Sequence, residues 1–105
     1  MVGRLEGKVA IISGGAHGFG YGIVKKFVQE GAKVVIVDIN EQGVSKVASE
    51  FGKSAAYVAG DVGTRAPWEK ALSTALDKFG KLDIVVNNAG ILIVKARPPL
   101  RTKLI

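Results

Sequence analysis

Lys8-Val9-Ala10-Ile11-Ile12-Ser13-Gly14-Gly15-Ala16-His17-Gly18-Phe19-Gly20 sets the architecture of this chain. The first half is a short β-branched run without polar alternation, which reads as a strand buried on both faces. The second half is a tight glycine turn. Immediately after it, Ile23, Val24, Phe27 and Val28 recur at helical spacing, and Gly31 marks the helix end. A strand that breaks at glycines and enters a helix has a chemical use. Gly14 permits the sharp exit. Gly18 and Gly20 remove side chains where a phosphate and a neighbouring strand come close. The free amides at the helix start then face an anion, and the helix dipole favours its charge. An ordinary glycine-rich turn is the plain alternative, but the flanking strand and helix weigh against it.

Working outward, Lys33-Val34-Val35-Ile36-Val37-Asp38 is a second buried strand. Val44, Val47, Ala48 and Phe51 mark a second helix closed by Gly52, and residues 54–59 form a weaker third strand. Thr64 suits an N-cap, with Pro67 tolerated in the first turn. Trp68, Ala71, Leu72, Ala75, Leu76 and Phe79 then make the apolar stripe of a third helix, which Gly80 ends. Leu82-Asp83-Ile84-Val85-Val86-Asn87 is a fourth strand. This alternation predicts an α/β fold: a partial Rossmann domain with a doubly wound parallel sheet. Right-handed crossovers put the first two helices on one face and the third on the other, with strand order 3-2-1-4. A ligand is expected where the order reverses, beyond the carboxyl ends of strands one and four. The glycine loop, Asp38, Asp61 and Asn87 to Gly90 all fall at those ends.

Asp38 closes the second strand. A carboxylate there accepts the ribose hydroxyl hydrogens of an adenosine and repels a 2′-phosphate, so the pattern favours NAD, with NADP the weaker candidate. A solvated strand-end Asp is the bland alternative. His17 is placed to touch a phosphate, and its cationic form would soften the preference.

Composition fits this reading and removes others. The chain has 105 residues, 48% hydrophobic and 23% charged, which suits one globular domain at most. No apolar run approaches the roughly 18 residues of a membrane span, and the start lacks a secretory signal. The absence of Cys removes disulfides, thiolate metal sites and a cysteine nucleophile, and a single His removes a multi-histidine metal site, so no metal is expected. A cytoplasmic location is expected. The net charge of +6 is uneven, because residues 91–105 carry Lys95, Arg97, Arg101 and Lys103 with no acid. The basicity belongs to a tail, and nucleic acid is not an expected partner.

From residue 5 to Gly90 the sequence resembles the short-chain dehydrogenase/reductase family. Ser13-Gly14-Gly15-Ala16-His17-Gly18-Phe19-Gly20 matches its Thr-Gly-x-x-x-Gly-x-Gly. Asp38 matches its NAD-selecting acid, Asp61-Val62 the pair that holds the adenine ring, and Asn87-Asn88-Ala89-Gly90 its Asn-Asn-Ala-Gly. The resemblance implies that Asn87 braces the sheet while Asn88, Ala89 and Gly90 border the cofactor. Phe19 and Ile39 join the cofactor-binding set. Ser13 for Thr, His17 for a small or basic residue and Phe19 for Ile are mild departures. The implied activity is hydride transfer between a nicotinamide and an alcohol or carbonyl substrate.

In that family a Ser and a Tyr-x-x-x-Lys pair, well beyond the Asn-Asn-Ala-Gly segment, carry out the proton transfer. No residue here matches them, so no catalytic residue is assigned and the chain is not expected to catalyse alone. Tyr21-Gly22-Ile23-Val24-Lys25 spells Tyr-x-x-x-Lys, but it follows the phosphate loop, at the wrong end of the cofactor. It reads as a helical surface pair. Residues 1–90 are therefore the dinucleotide-binding half, and 91–105 a basic tail in which Pro98-Pro99 forbids a regular helix. The expectation is a fold truncated after the fourth strand, whose edge lies open and invites self-association together with residues 91–94. Two readings follow: the NAD-binding part of an oxidoreductase, or a non-enzymatic dinucleotide-binding or interaction module. A small-molecule substrate enters only if a further half completes the site.

Overall fold

The computed structural model describes residues 3–15, 18–87 and 90–96, with backbone alone for Phe19 and for 90–96. Along the chain run β1 (Val9–Ser13), α1 (Gly18–Gln29), β2 (Lys33–Asp38), α2 (Glu41–Phe51), a 3₁₀ turn (Gly52–Ser54), β3 (Ala55–Ala59), α3 (Arg65–Phe79), β4 (Leu82–Asn87) and β5 (Gly90–Ala96). The sheet order is β3-β2-β1-β4-β5. The first four strands are parallel, and the 3-2-1-4 order follows from the right-handed crossovers.

The strands lack polar alternation because both faces are covered. Val9, Ile11, Val35, Val37, Ala56 and Val58 face Ala71, Leu72 and Ala75 of α3. Ala10, Ile12, Val34 and Ile36 face Val24 of α1 and Val44, Val47 and Ala48 of α2. The helix ends are fixed locally. Asn40 caps α2 by accepting from the Gly43 amide at 3.0 Å. Gly80, at φ 85°, closes α3 in the left-handed region. Thr64 stands at the N-cap of α3 without a side-chain cap bond, its hydroxyl donating instead to the Asp61 carbonyl at 2.8 Å.

One expectation is corrected. The outer edge of β4 is not open, because β5 pairs with it antiparallel from Asn87↔Gly90 to Leu82↔Ala96. The register slips between Leu82 and Ile84, so β5 carries one extra residue opposite Asp83. The run at 91–94, read as part of a tail, has the apolar content a strand needs and lies antiparallel to β4. With its edge paired, β4 keeps Val86 buried, while Ile84 and Val85 are half-buried against opposite cores. The outer edge on this side of the described sheet is therefore β5, which contains the 91–94 run, and not β4.

At the amino ends of the strands, buried Asp83 takes the Val9 amide at 3.0 Å and the Lys81 ammonium at 3.3 Å. Burial pushes its carboxyl up, but these partners outweigh it and hold the group below the ordinary aspartate range. The bond joins β4 to β1, the two strands flanking the topological reversal.

Candidate functional site

The carboxyl ends of the parallel strands meet in register. Ser13 lies opposite Val37, Asp38 opposite Ala59, and Ile12 opposite Val86. The Ser13 hydroxyl donates to the Asn87 side-chain oxygen at 3.4 Å, so Asn87 does brace β4 against β1 at this rim.

The glycine turn leaves β1 with Gly14 at φ 72°, and the Gly14 amide donates back to the Val37 carbonyl at 2.8 Å. That amide belongs to the sheet and not to the crevice. Gly18, at φ 63°, opens α1, and a Cβ built there would meet nothing within 4 Å among the described residues. Gly20 is the opposite case. Its Cβ would lie 1.9 Å from the Gly14 carbonyl oxygen, so the first turn of α1 rests directly on the glycine turn. The two glycines split the work assigned to them: Gly18 leaves open space and Gly20 allows the close approach. The first amides of α1 have no intrahelical acceptor, and no acidic residue sits in that turn to neutralise the dipole. Ala16, His17, Asn88 and Ala89 lie outside the described residues, as does the side chain of Phe19.

Asp38 ends β2 with only 8% of its surface exposed. Its Oδ1 accepts the Asn40 amide at 3.0 Å, which orients the carboxylate beside the start of α2. Its carbonyl accepts the Gly60 amide at 2.9 Å and ties the exit of β3 to β2. Ile39 projects next to it, 73% exposed, an apolar surface on an otherwise polar rim. Asp61 folds its own loop, with Oδ1 accepting from the Gly63 amide at 2.8 Å. Val62 packs on the α3 side of the core, and its carbonyl accepts the Trp68 indole N–H at 2.7 Å. Gly90 begins β5 opposite Asn87, so it stands within the sheet.

Two residues at this rim went unassigned on sequence grounds. A Cβ on Gly15 would lie 2.4 Å from Ile36 Cγ2, and one on Gly60 would lie 2.5 Å from Pro67 Cγ. Both let a loop sit flush on the core. The Gly14-Gly15 doublet hinted at the first, and no local signal marks the second.

Tyr21 does not pair with Lys25 as expected. Its hydroxyl donates to Glu50 Oε2 at 2.7 Å, and its ring lies 6.3 Å from that of Phe51, linking α1 to α2. Donation to that carboxylate raises the phenol above its ordinary range. Among the described residues no group of three or more His, Asp or Glu could hold a metal ion. No described helix is long and apolar enough to cross a membrane.

The arrangement suits an extended anionic ligand with a diol at one end. Open space and unneutralised amides at Gly18 fit a diphosphate, and a sunken, oriented carboxylate one strand away fits a sugar. Comparison with known proteins agrees with that chemistry. The sequence model of the family described as short chain dehydrogenase matches residues 8–103, running past Gly90 into the segment set apart on sequence grounds. The chain is 51% identical over 92 residues to a 3-alpha-(or 20-beta)-hydroxysteroid dehydrogenase of Mycobacterium tuberculosis, covering 88% of this chain and 35% of that protein. It is 43% identical over 93 residues to a 3-beta-hydroxysteroid dehydrogenase of Comamonas testosteroni, covering 89% and 37%. Among solved structures it resembles a 3-ketoacyl-(acyl-carrier-protein) reductase of Brucella melitensis complexed with NADH. That match has a TM-score of 0.74, 50% identity and coverage of 78% and 34%. The chain thus spans little more than a third of the length of these relatives.

Proposed function

The chain belongs to the short chain dehydrogenase family, and on that premise we propose that it is the NAD-holding part of an oxidoreductase acting on alcohol or carbonyl substrates. The observation that carries this reading is the pairing of the open, positive-φ Gly18 at the start of α1 with buried Asp38 at the end of β2. When bound, the dinucleotide supplies hydride transfer at its nicotinamide.

In this reading the chain's own residues bind and orient. The first amides of α1 take the diphosphate, and the helix dipole offsets its charge. Asp38 accepts the adenosine ribose hydroxyls, held in place by the Asn40 amide. Ile39 and Val62 flank the adenine, and Asp61 sets its edge. Gly14, His17, Gly18, Phe19 and Gly20, with Asn88 to Gly90, complete the contacts that the family motifs assign. None of the described residues is given the proton-transfer step, since the Tyr21 hydroxyl is engaged by Glu50 on the α1–α2 side. A cytoplasmic location belongs to the same proposal.

Asp38 also selects between dinucleotides. A 2′-phosphate would meet its carboxylate at close range, so NAD is preferred over NADP. Calorimetric titration with each tests this. The expected result is NAD bound on the order of tenfold or more tighter than NADP, with the gap closed by Asp38→Ala. Equal affinities in the native chain would overturn the selectivity, and binding of neither would overturn the site.

A further inference from the structure

We propose that the amino-end pole of the sheet docks electrostatically on an anionic lipid surface. The pole lies a strand's length from the cofactor rim, so the two sites are independent.

Every strand of the described sheet carries a lysine at this end. Lys8 directly precedes β1, Lys33 begins β2, Lys53 lies two residues before β3 and Lys81 directly precedes β4. β5 runs the other way and ends here, with Ala96 opposite Leu82, which places Lys95 at the same end. In the spatial order β3-β2-β1-β4-β5 these positions form one row across the whole sheet. At about 4.8 Å per strand the row is roughly 19 Å long. Basic residues in a last helical turn answer the helix dipole, as Lys26 and Lys78 do. The row extends beyond that cause, since β5 follows a strand and no helix.

The acids at this end are largely engaged. Glu30 takes Lys26 at 3.2 Å, Asp83 takes Lys81 at 3.3 Å and Glu50 takes the Tyr21 hydroxyl. Glu6 and Asp77 are matched by Arg4 and Lys78 close by in sequence. Lys33 and Lys53 are exposed, and among the described residues no salt bridge holds either. Elsewhere Lys25, Lys46, Arg65 and Lys70 are balanced by as many acids, Asp38 and Asp61 among them. The net charge of +6 therefore resides at this pole and in residues 97–105, which follow Ala96 with Arg97, Arg101 and Lys103 and no acid.

The occupant is indicated by what the pole lacks. Among the described residues the exposed large apolar side chains are Ile39, at the cofactor rim, and Tyr57, within β3. A folded protein partner calls for an apolar interface centre, where lysine is disfavoured. Single-stranded nucleic acid calls for exposed aromatic rings on which its bases stack. An anionic bilayer surface needs neither, because each lysine near it adds its own attraction.

The test is co-sedimentation of the full chain with vesicles of phosphatidylcholine containing phosphatidylserine, against vesicles of phosphatidylcholine alone. The expected result is binding to the phosphatidylserine vesicles in about 0.1 M salt, release in about 1 M salt, and no binding to phosphatidylcholine. Lys33→Gln with Lys53→Gln should raise the lipid concentration at half-binding about tenfold or more. Lys46→Gln with Lys70→Gln removes the same charge from exposed positions elsewhere and should raise it less than about twofold. Equal binding to both vesicles, binding to neither, or equal weakening by the two double variants would overturn the proposal. Tighter binding to duplex DNA than to the phosphatidylserine vesicles, compared per negative charge, would overturn the lipid assignment.

Discussion

Gly20→Ala places a Cβ 1.9 Å from the Gly14 carbonyl oxygen and 2.6 Å from its carbon. Both are backbone atoms, so no rotamer change relieves the clash. Cβ atoms rarely approach other atoms within 3.0 Å, so helix and turn must part by about 1 Å. Overpacking of this kind costs ~1–3 kcal/mol, and the rigid neighbours put this case near 3 kcal/mol. For a domain of this size that lowers Tm by more than ~10 °C. Gly22→Ala, on the same helix, is the internal control: nothing lies within 4 Å of its Cβ, and it relieves a helical glycine. It is expected to stabilise by about 0.5–1 kcal/mol. Urea unfolding followed by circular dichroism reads both as shifts in midpoint at constant slope. The reasoning fails if Gly20→Ala unfolds at the native midpoint, or if Gly22→Ala is destabilised to the same extent.

Asp83→Ala should cost about 2 kcal/mol, because it orphans the Val9 amide at the start of β1. Since the native carboxyl titrates below its unfolded value of about 3.9, the contribution is full above that pH and fades as pH falls through the lowered native value; urea midpoints of the two proteins across pH should therefore converge in acid. Gly18→Ala should cost about 1 kcal/mol through its φ of 63° without a steric clash, whereas Gly18→Val should also fill the open space and remove NAD binding in a titration. Glu50→Gln should bring the Tyr21 phenol down toward its ordinary range in an ultraviolet pH titration, leaving NAD affinity unchanged, because Glu50 stands at the end of α2 opposite Asn40.

What could be read from the sequence, and what could not, divides by the range of the interaction. β1, β2 and β4 were legible because burial on both faces forces unbroken apolar runs such as Val34 to Val37. The helices were legible from their stripes, and the order 3-2-1-4 followed from handedness alone. The rim residues Gly14, Gly18 and Asp38 stood out because backbone conformation and strand-end chemistry are local. β5 was not legible: its apolar core is short, and Lys95 to Pro99 reads as a solvated end. Tyr21 with Glu50, and Gly60 with Pro67, join residues whose approach the tertiary fold alone decides. Asn40 as the α2 cap was within reach of sequence, since it directly precedes Glu41, but the acid at Asp38 drew the reading.

The central claim is that a dinucleotide lies on the rim formed by the glycine turn, the start of α1 and Asp38. Amide chemical-shift mapping of the labelled chain on addition of NAD tests it most directly. The account predicts saturable shifts concentrated at Gly14, Gly18, Gly20, Asp38 and Asp61, with the amino-end residues Val9 and Asp83 unmoved. Shifts centred on the amino ends of the strands, or a spectrum unchanged by NAD, would contradict it.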